Sequence, residues 1–399
     1  MSVLFGHPTG TPFSHHAGLA YFESGLLESF CVPWMPSPAS LRAIGSVPGF
    51  RSNANRLARR HFSRLATAPK SQGRIGEFKR LLIRGIGLGD ERLTNEANEW
   101  LMRRMARECG RPRVTAVHAY EDCSLWQFQE AKRRGRACIY EMPIGYYPAW
   151  ERIRGQLERE YSDWLPAARP TESVRRQRKT EEMKLADLVL VPSRFVASTI
   201  LEFQSDKTIA FSPYGIDLAE WPEPATSARE HITFLFVGQC SIRKGIPLLL
   251  DAWQAAGLKN ASLKLVGAWQ LAERKRREMP SGCTWTATVS TDELKVHYGN
   301  ADVFVFPTNF EGRALVVIEA LASGLPVLTT KASGAGDLID QCGRLIATND
   351  RDELVAALRW FSDHRDLLPA MKRTARRHAE TCSWDSYRKS VTDAVRSYV

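Results

Sequence analysis

The sequence predicts an α/β protein made of two domains, each built around a parallel β-sheet. The chain has 399 residues, more than one ordinary hydrophobic core contains, so two domains are the default expectation. Short apolar runs alternate with helical patterns in both halves, which is typical of repeated β–α–β units. A polar, proline-rich segment at 221–230 interrupts this alternation once. These three observations predict one sheet on each side of the interruption.

In the first half, apolar runs predict strands, and the charged segments between them predict helices. The predicted strands are Met1–Phe5, Arg113–His118, Ala137–Glu141, Asp187–Val191 and Ile209–Ser212. The predicted helices are His16–Ser29, Glu91–Glu108, Ser124–Arg134, Phe195–Phe203 and a long charged stretch, Trp150–Lys184. A turn at Pro213–Asp217 then leads into the second half.

The second half repeats the alternation. The predicted strands are Ile232–Val237, Ser262–Val266, Thr284–Ala287, Val303–Pro307 and Pro326–Thr330. The predicted helices are Pro247–Ala256, Gln270–Met279, Thr291–Tyr298, Leu315–Ser323 and Trp384–Tyr398. We therefore expect domains at 1–212 and 213–380, followed by a terminal helix within 381–399.

The composition excludes several classes of protein. Hydrophobic residues make up 44% of the chain and charged residues 25%, as in globular proteins. No run of about 20 apolar residues is present, so no membrane-spanning helix is expected. The first residues lack a basic segment followed by an apolar run, so no signal peptide is expected. The eight cysteines are scattered and form no zinc or redox motif, which favours a reduced, cytoplasmic protein.

Positive charge is concentrated between Arg51 and Arg84. The formal net charge is +11, and this stretch holds ten basic residues against one acid, Glu77. It also contains four apolar residues at helical spacing: Ile75, Phe78, Leu81 and Leu82. Such a stretch suits peripheral contact with an anionic membrane, or it is a solvated face that keeps the protein soluble. Both interpretations stay open. No basic motif with interleaved aromatic residues supports nucleic-acid binding.

The segment Val303–Thr330 carries the strongest chemical pattern. A buried strand, a glycine-containing loop and a helix beginning near Leu315 follow one another, an arrangement that forms an anion site. Glu311 lies in the loop, and Glu319 lies eight positions later on the helix. This helix is apolar nearly all round, so Glu319 is expected to be buried and to need a partner. Two carboxylates beside a phosphate pocket suit a sugar nucleotide, because sugar hydroxyls donate well to carboxylates.

A second pattern lies upstream in the same predicted sheet. Gly238 follows a strand, and Arg243 and Lys244 precede the helix that starts at Pro247. Two cations beside a helix N-terminus suit a diphosphate.

Together these motifs resemble the donor domain of the family-4 retaining glycosyltransferases of GT-B fold, the glycosyl transferases group 1. The mark of that family is two glutamates separated by seven residues, here Glu311 and Glu319, followed by an Ala-Ser-Gly-Leu-Pro-Val segment, here 322–327. Three further family segments match 238–245, Pro213–Asp217 and Pro192–Ser193. The resemblance covers roughly residues 185–345.

The resemblance implies two Rossmann-like domains that face each other across a cleft. The N-terminal domain would bind the acceptor, the C-terminal domain would bind the donor, and the last helix would return to the N-terminal domain. The implied donor-binding residues are Gly10, Thr11, Gly238, Arg243, Lys244, Glu311, Gly312, Arg313, Ala314, Leu315 and Glu319. Glu319 would bind the ribose, Glu311 the sugar, and Arg243 with Lys244 the diphosphate. Backbone N–H groups near Ala314 and Leu315 would hold the distal phosphate.

The chain departs from the family pattern at several positions. Gln239 replaces an arginine after the first glycine, Arg313 replaces a common aromatic residue, and Ala314 replaces a glycine. In the N-terminal half, Glu141 stands where the family often has a histidine near the reacting sugar. The candidate catalytic residues are Glu311, Lys244, Glu141 and His118, and a hydrogen-bonded role in the crevice wall is the competing interpretation of His118.

The implied function is transfer of a sugar, with retention, from a nucleotide-sugar donor to a glycan, lipid-linked or small-molecule acceptor. The expected setting is polysaccharide or glycoconjugate biosynthesis, in the cytoplasm or at the inner face of the membrane. No cofactor is expected, because the nucleotide sugar is a substrate. The resemblance also implies that no metal is required. The alternatives are a nucleotide-sugar epimerase of the same fold, a basic nucleic-acid-binding protein and an inactive glycan-binding relative.

Overall fold

The computed structural model describes residues 1–47, 49–73, 90–166, 173–223 and 230–399. The strands are β1 (Val3–Gly6), β2 (Leu27–Val32), β3 (Lys70–Gln72), β4 (Ala116–Tyr120), β5 (Ala137–Glu141), β6 (Leu188–Val191), β7 (Thr208–Phe211), β8 (Ile232–Val237), β9 (Ala261–Val266), β10 (Cys283–Thr286), β11 (Val303–Phe306), β12 (Val327–Thr330) and β13 (Gly343–Ile346).

The helices alternate with these strands along the chain. They are α1 (Pro12–Glu23), α2 (Pro38–Gly45), α3 (Arg51–Ala58), α4 (Asp90–Glu108), α5 (Leu125–Arg133), α6 (Tyr147–Glu160), α7 (Ser173–Leu185), α8 (Arg194–Leu201), α9 (Ile246–Ala256), α10 (Glu273–Arg277), α11 (Thr291–Gly299), α12 (Leu315–Ala322), α13 (Arg351–Asp363), α14 (Leu368–Glu380) and α15 (Trp384–Tyr398). In the part of the chain that the structure describes, no helix is both long and apolar enough to cross a lipid bilayer.

Each half of the chain forms one sheet whose strands all run parallel. The N-terminal order is β3-β2-β1-β4-β5-β6-β7, and the C-terminal order is β10-β9-β8-β11-β12-β13. Both orders reverse direction beside the first strand of the sheet, between β1 and β4 and between β8 and β11. Ligands of such sheets bind outside the carboxyl ends of the strands at this switch point. The loops that follow β8 and β11 are therefore placed to form a site.

Most predicted elements are present within a few residues of their expected bounds. Strands β5 and β8 and helix α15 have the predicted bounds. Two short edge strands, β3 and β13, were not predicted. The three residues of β3 are polar, and β13 is half exposed, so neither segment shows the apolar run of a buried strand.

The helix predicted at His16–Ser29 was wrong at its C-terminal end. Helix α1 ends at Glu23, and Gly25 then takes a φ of 71°, a left-handed conformation that glycine adopts readily after a helix. Strand β2 begins two residues later, at Leu27. The predicted helix extended into β2 because a buried helix and a buried strand both contain closely spaced apolar residues, which the sequence pattern does not distinguish.

Helix α6 belongs to the N-terminal half of the sequence but packs on the C-terminal core. Leu157, on this helix, is only 2% exposed within that core, and Trp164 beyond the helix also packs against it. The Ala272 N–H donates to the Trp164 carbonyl at 2.8 Å. The charged stretch predicted at Trp150–Lys184 is thus two helices with different neighbours, since α7 packs against α5.

Helix α15 crosses in the opposite direction and packs against α1. Tyr387, Val391 and Val395 of this helix are fully buried in the N-terminal core. The Ile216 N–H in the connection between the halves donates to the Cys382 carbonyl at 2.9 Å, just before α15. The proposed limits at 212 and 380 divide the sequence, but α6 and α15 each pack on the domain at the other side of such a limit.

Candidate functional site

The loops after β8 and β11 meet at the switch point of the C-terminal sheet. The Asn309 N–H donates to the Arg243 carbonyl at 2.8 Å, and the Asn309 side-chain amide donates to the Ile242 carbonyl at 3.0 Å. Gly245 has a φ of +74°, and a Cβ there would lie 2.0 Å from the Pro307 carbonyl oxygen. Only glycine lets the two loops approach this closely, so the predicted glycine segment has a steric reason.

Three predicted donor-site residues form one charged cluster at this point. The Arg243 Nη1 lies 2.6 Å from the Glu311 Oε1, and the Lys244 Nζ forms an ion pair with the same oxygen. Glu311 is 9% exposed. Burial lowers the pKa of Lys244, and the Glu311 carboxylate opposes that shift. The cluster holds two cations and one carboxylate, so it has a surplus positive charge that an incoming diphosphate can neutralise.

Glu319 lies apart from this cluster, on the side of α12 that faces the cleft between the two halves. Its carboxylate accepts a hydrogen bond from the Tyr298 hydroxyl at 3.0 Å. Burial raises the pKa of Glu319 to about 7, although the bond from Tyr298 opposes the shift. The side chain is half-buried, which corrects the expectation of a fully buried helix. Glu319 and Leu315 line a cleft of about 730 Å³ between the two halves.

Gly312 joins the donor loop to the N-terminal half. It pairs with Ile144 in an isolated antiparallel bridge, and its carbonyl accepts from the Ser193 hydroxyl at 2.6 Å. A Cβ at Gly312 would lie 1.7 Å from the Pro143 carbonyl oxygen. This residue is therefore a point of contact between the two halves, in addition to lying in the predicted donor loop.

The structure corrects two of the roles implied for the start of α12. The Ala314 N–H donates to the Ser333 carbonyl at 2.9 Å, so this amide is not free to hold a phosphate. The Arg313 guanidinium points to Asp337, at 3.3 Å, and its side chain is 4% exposed. The amide of Leu315 belongs to the first turn of the helix, where N–H groups lack intrahelical partners, and remains the candidate.

The loop before α1 is also used differently from the expectation. The Gly10 N–H donates to the His7 Nδ1 at 3.0 Å, and the Thr11 N–H donates to the Ser14 hydroxyl at 2.8 Å. Burial lowers the pKa of His7 to about 3, so its ring is neutral and its Nδ1 can accept. The amides of Gly10 and Thr11 are therefore committed within the loop and do not form a phosphate cradle in this conformation.

His118 and Glu141 lie in the interior of the N-terminal half. Both side chains are 0% exposed, and the His118 Nε2 lies 3.2 Å from the Glu141 Oε2. The Tyr21 hydroxyl lies 2.7 Å from the His118 Nδ1, and the Tyr387 hydroxyl donates to Glu141 at 2.9 Å. This geometry favours the structural interpretation of His118 and extends it to Glu141, because neither group reaches the cleft.

Two contributors to the site carried no signal in the sequence. Tyr298 orients Glu319 from the end of α11, and His7 holds the loop before α1 through its ring nitrogen. Tyr298 donates to a side chain on another helix, and His7 accepts from a backbone amide in its own loop. Neither hydrogen bond can be predicted from the spacing of residues in the sequence. Among the described residues, no group of three or more His, Cys, Asp or Glu is arranged to hold a metal ion.

Known proteins with a similar sequence match the half of the chain that carries this site. Residues 218–378 match the family model of the glycosyl transferases group 1. The sulfoquinovosyl transferase SQD2 of Arabidopsis thaliana is 32% identical over 171 residues, which are 41% of this chain and 32% of that protein. A GDP-mannose-dependent alpha-(1-6)-phosphatidylinositol monomannoside mannosyltransferase of Mycobacterium tuberculosis is 26% identical over 231 residues, 51% of this chain and 59% of that protein. The chain thus spans less than two thirds of the length of these relatives.

Solved structures resemble the whole chain. Sucrose-phosphate synthase from Thermosynechococcus elongatus superposes with a TM-score of 0.69 at 17% identity, over 100% of this chain and 98% of that one. Anabaena Alr3699/HepE, solved in complex with UDP and glucose, superposes with a TM-score of 0.61 at 13% identity, over the full length of both. At such identities the likeness concerns the fold, which is GT-B, with two Rossmann-like domains. Through residues 218–378, the chain is similar in sequence to the glycosyl transferases group 1.

Proposed function

We propose that this protein is a retaining glycosyltransferase that moves a sugar from a nucleotide-sugar donor to an acceptor. The observation that carries the proposal is the meeting of Arg243, Lys244 and Glu311 at the switch point of the C-terminal sheet, together with a second carboxylate, Glu319, that lines the cleft between the two halves. Cations for a diphosphate and carboxylates for hydroxyl groups are the two chemistries that a nucleotide sugar requires.

In this proposal the four side chains divide the donor between them. Glu319 accepts hydrogen bonds from the ribose hydroxyls, with Tyr298 holding its carboxylate in place. The diphosphate takes the cations Arg243 and Lys244, which pair with Glu311 in the absence of a ligand. Glu311, released from part of that pairing, then accepts from a hydroxyl of the sugar. Donor binding would thus exchange partners within one cluster instead of leaving any charge unpaired.

The proposed chemistry is substitution on one face of the sugar. The acceptor oxygen forms a bond to the anomeric carbon as the bond to the diphosphate oxygen breaks, and the acceptor proton passes to the departing phosphate. Lys244 stabilises the negative charge that develops on the diphosphate. No metal is assigned to this step, because the cations of the cluster supply the countercharge.

The acceptor and the setting are also part of the proposal. The relatives named above are a sulfoquinovosyl transferase and a phosphatidylinositol monomannoside mannosyltransferase, which supports a glycan, lipid-linked or small-molecule acceptor in polysaccharide or glycoconjugate biosynthesis. A cytoplasmic enzyme, peripheral to the inner face of a membrane, would meet such acceptors. The apolar positions proposed to touch the membrane, at 75–82, lie outside the described residues.

A thermal-shift screen tests the proposal directly. UDP-, GDP-, ADP- and CMP-sugars are compared, since a donor bound at a hundred times its Kd stabilises the folded state by about 2.7 kcal/mol. One class should raise the unfolding temperature and should be consumed in the presence of acceptors. NMR of the first product should then show the anomeric configuration of the donor. Stabilisation by none of the four, or a product of inverted configuration, would contradict the proposal.

A further inference from the structure

The wall of the cleft opposite Glu319 belongs to the N-terminal half and is rich in cationic and imidazole side chains. It is formed by the start of α1 and by the segment after α3, and it includes His15, His16, Arg59, His61, Phe62 and Arg64. The carboxylates that line the cleft lie elsewhere: Asp217 and Glu220 in the connection between the halves, Asp385 on α15 and Glu319 on α12. The wall formed by the start of α1 and the segment after α3, here called the basic side, therefore contributes cations and imidazoles to the cleft, although Asp385 of α15 pairs with Arg388, which contacts His16.

Part of the positive charge on the basic side is already neutralised. The Arg64 guanidinium lies 2.5 Å from the Glu23 carboxylate, and Arg388 of α15 pairs with Glu23 at 3.2 Å and with Asp385. Two cations and two carboxylates thus balance one another at this end of the cleft. Arg59, in contrast, is exposed and has no carboxylate partner among the residues that the structure describes.

The imidazoles that line the cleft together with Arg59 indicate a positive local potential. Burial lowers the pKa of His15 to about 4, and His61 and Arg60 lower it further. His15 is 4% exposed, and within the described part of the chain its Nε2 has no hydrogen-bond partner. That nitrogen lies close to Gly10, where a Cβ would approach it to 3.0 Å. A buried polar atom without a partner, close enough to Arg60 to feel its charge, is a site where an anion or its hydrating water gains a hydrogen bond.

Four backbone amides at and before the start of α1 already have hydrogen-bond partners. The amides of Thr9 and Gly10 donate to the His7 ring, and Thr11 and Ser14 cap each other at the start of α1. These four amides are therefore not available to an anion in this conformation, which makes the side chains of the wall the candidates for holding one. The donor diphosphate already has its own cations, Arg243 and Lys244, on the opposite domain.

We propose that the basic wall binds an anionic group of the acceptor, a phosphate or a carboxylate, with Arg59 as its main contact. The proposal rests on the glycosyltransferase function and narrows its acceptor class. Among the described residues of the basic stretch, Arg59 and Arg64 are the cations that line the cleft, and Arg64 already pairs with Glu23, which leaves Arg59 as the cation available to a ligand. A guanidinium pairs with phosphate or carboxylate through two parallel hydrogen bonds, which neutral sugar hydroxyls do not match.

The test compares charged and neutral ligands in protein saturated with the nucleoside diphosphate that the thermal-shift screen identifies. Saturation fills the diphosphate site, so that anions report on the remaining cleft. The probes are glucose, glucose 6-phosphate, glucuronate and inorganic phosphate, with binding measured by ligand-observed NMR. The two anionic sugars should bind at least about tenfold more tightly than glucose, the size expected of one charge-assisted contact.

Two matched variants assign the effect to one side chain. Arg59→Gln removes the charge and should abolish the preference for anionic ligands, while the affinity for the nucleoside diphosphate stays unchanged. Arg51→Gln, at the other end of α3 and outside the cleft, should keep the preference. Equal binding of glucose and its charged analogues would overturn the proposal, and so would a preference that survives Arg59→Gln or is lost in Arg51→Gln.

Further measurements identify the source of the anion and keep the two proposals separate. Vesicles of phosphatidylcholine with rising phosphatidylglycerol content, compared with the soluble probes, show whether a lipid or a soluble group is bound; loss of either signal in Arg59→Gln supports the proposal. If Arg59→Gln binds the free nucleoside diphosphate more weakly than the natural protein does, Arg59 contacts the donor and not the acceptor, and the proposal is overturned. Absence of any nucleotide-sugar binding would instead contradict the glycosyltransferase function, whatever the anions do.

Discussion

At the scale of single residues, the site depends on carboxylates whose surroundings differ. Glu311 lies between two cations, whereas Glu319 has only a tyrosine hydroxyl as a partner, and burial raises the pKa of Glu319 to about 7. The same residue type, eight positions apart, therefore has two cationic partners in one place and a raised pKa in the other. This difference gives each residue its own testable signature.

For Glu319, we expect donor affinity to depend on pH. Only the ionised carboxylate accepts from two ribose hydroxyls, so affinity should rise as the pH increases through about 7 and the proton is released. Glu319→Gln should remove this pH dependence. Glu319→Ala should weaken binding by about ten- to a hundredfold, since charge-assisted hydrogen bonds contribute about 1.5–3 kcal/mol. Calorimetric titration between pH 6 and 8 checks both, and an affinity that is flat with pH in the natural protein contradicts the ribose assignment.

For Lys244, we expect the Lys244→Ala variant to lose turnover more than donor binding. Its ammonium matters most as charge develops on the departing diphosphate, so kcat should fall further than the donor KM rises. Initial rates over a range of donor concentrations separate the two parameters. Lys389→Ala, on the exposed face of α15, is the control. If kcat is intact and only free-nucleotide binding is lost, Lys244 serves ground-state binding alone.

For Glu311, we expect one substitution to strengthen the binding of free nucleoside diphosphate and to lower the turnover of the complete donor. Glu311→Gln removes the carboxylate that competes for Arg243 and Lys244, so free nucleoside diphosphate should bind up to about tenfold more tightly. Turnover of the complete donor should nevertheless fall, because the sugar loses its acceptor group. Titration with nucleoside diphosphate and assay with the nucleotide sugar measure the two effects. Weaker binding of the free diphosphate would show that no partner exchange occurs.

At the scale of elements, the close contact between the loops after β8 and β11 depends on the glycine at the N-terminal end of α9. Gly245 before this helix and Gly257 after it both have positive φ angles, +74° and +58°. A Cβ at Gly245 meets the Pro307 carbonyl, whereas a Cβ at Gly257 meets no atom within 4 Å. Comparing a substitution at Gly245 with one at Gly257 therefore distinguishes the free-energy cost of a left-handed backbone, which both share, from the cost of displacing the donor loop, which only Gly245 carries.

We expect Gly257→Ala to lose only stability and Gly245→Ala to lose donor binding as well. A left-handed non-glycine residue costs about 1–2 kcal/mol, which both variants share. Only Gly245→Ala also forces the Pro307 loop, and with it the Glu311 cluster, out of position. Thermal unfolding and donor titration of the two variants provide the comparison. Equal donor affinity in both would show that the approach of the two loops does not matter for binding.

The elements of the C-terminal half were predicted more accurately than those of the N-terminal half. Its central strands are continuous apolar runs, and the helices predicted there begin after recognisable turns, so local pattern and tertiary environment agree, although α13 and α14 were not predicted. In the N-terminal half, β2 follows α1 after one glycine turn and β3 is polar, so the local pattern is weak. Nothing in the pattern around Tyr147–Glu160 shows that α6 packs on the other domain.

At the scale of the whole molecule, Glu141 joins parts of the chain that are far apart in sequence. Its carboxylate accepts from Tyr387 of α15 and lies against His118 of β4. Burial and Glu141 together raise the pKa of Tyr214, in the connection between the halves, well above its ordinary value. The buried carboxylate therefore lies where the N-terminal sheet, the connection and the last helix come together.

We expect Tyr387→Phe to destabilise the fold by about 1–3 kcal/mol, because it deprives a buried carboxylate of a hydrogen bond. Tyr398→Phe, at the exposed end of the same helix, should change stability by less than about 0.5 kcal/mol. Denaturant unfolding compares the two variants. Equal stability of both would mean that Glu141 does not depend on α15.

The sequence alone determined the fold class, five of the six strands of the C-terminal sheet and the pair Glu311 and Glu319, because apolar periodicity and motif spacing are local properties. It also identified Arg243 and Lys244 as cations beside a helix start. The tertiary structure decided which groups are free to act. The Ala314 and Gly10 amides proved to be occupied by Ser333 and His7.

Orientation and packing across domains were likewise decided only in three dimensions. Arg313 turns toward Asp337, away from the donor loop, and Glu141 with His118 lies in the core instead of in the cleft. Arg59 faces a cleft whose other wall is made of residues more than 150 positions later in the chain. The physical reason is the same in each case: whether a polar group is available depends on its hydrogen-bond and ion-pair partners, and here most of them come from distant segments that only folding brings together.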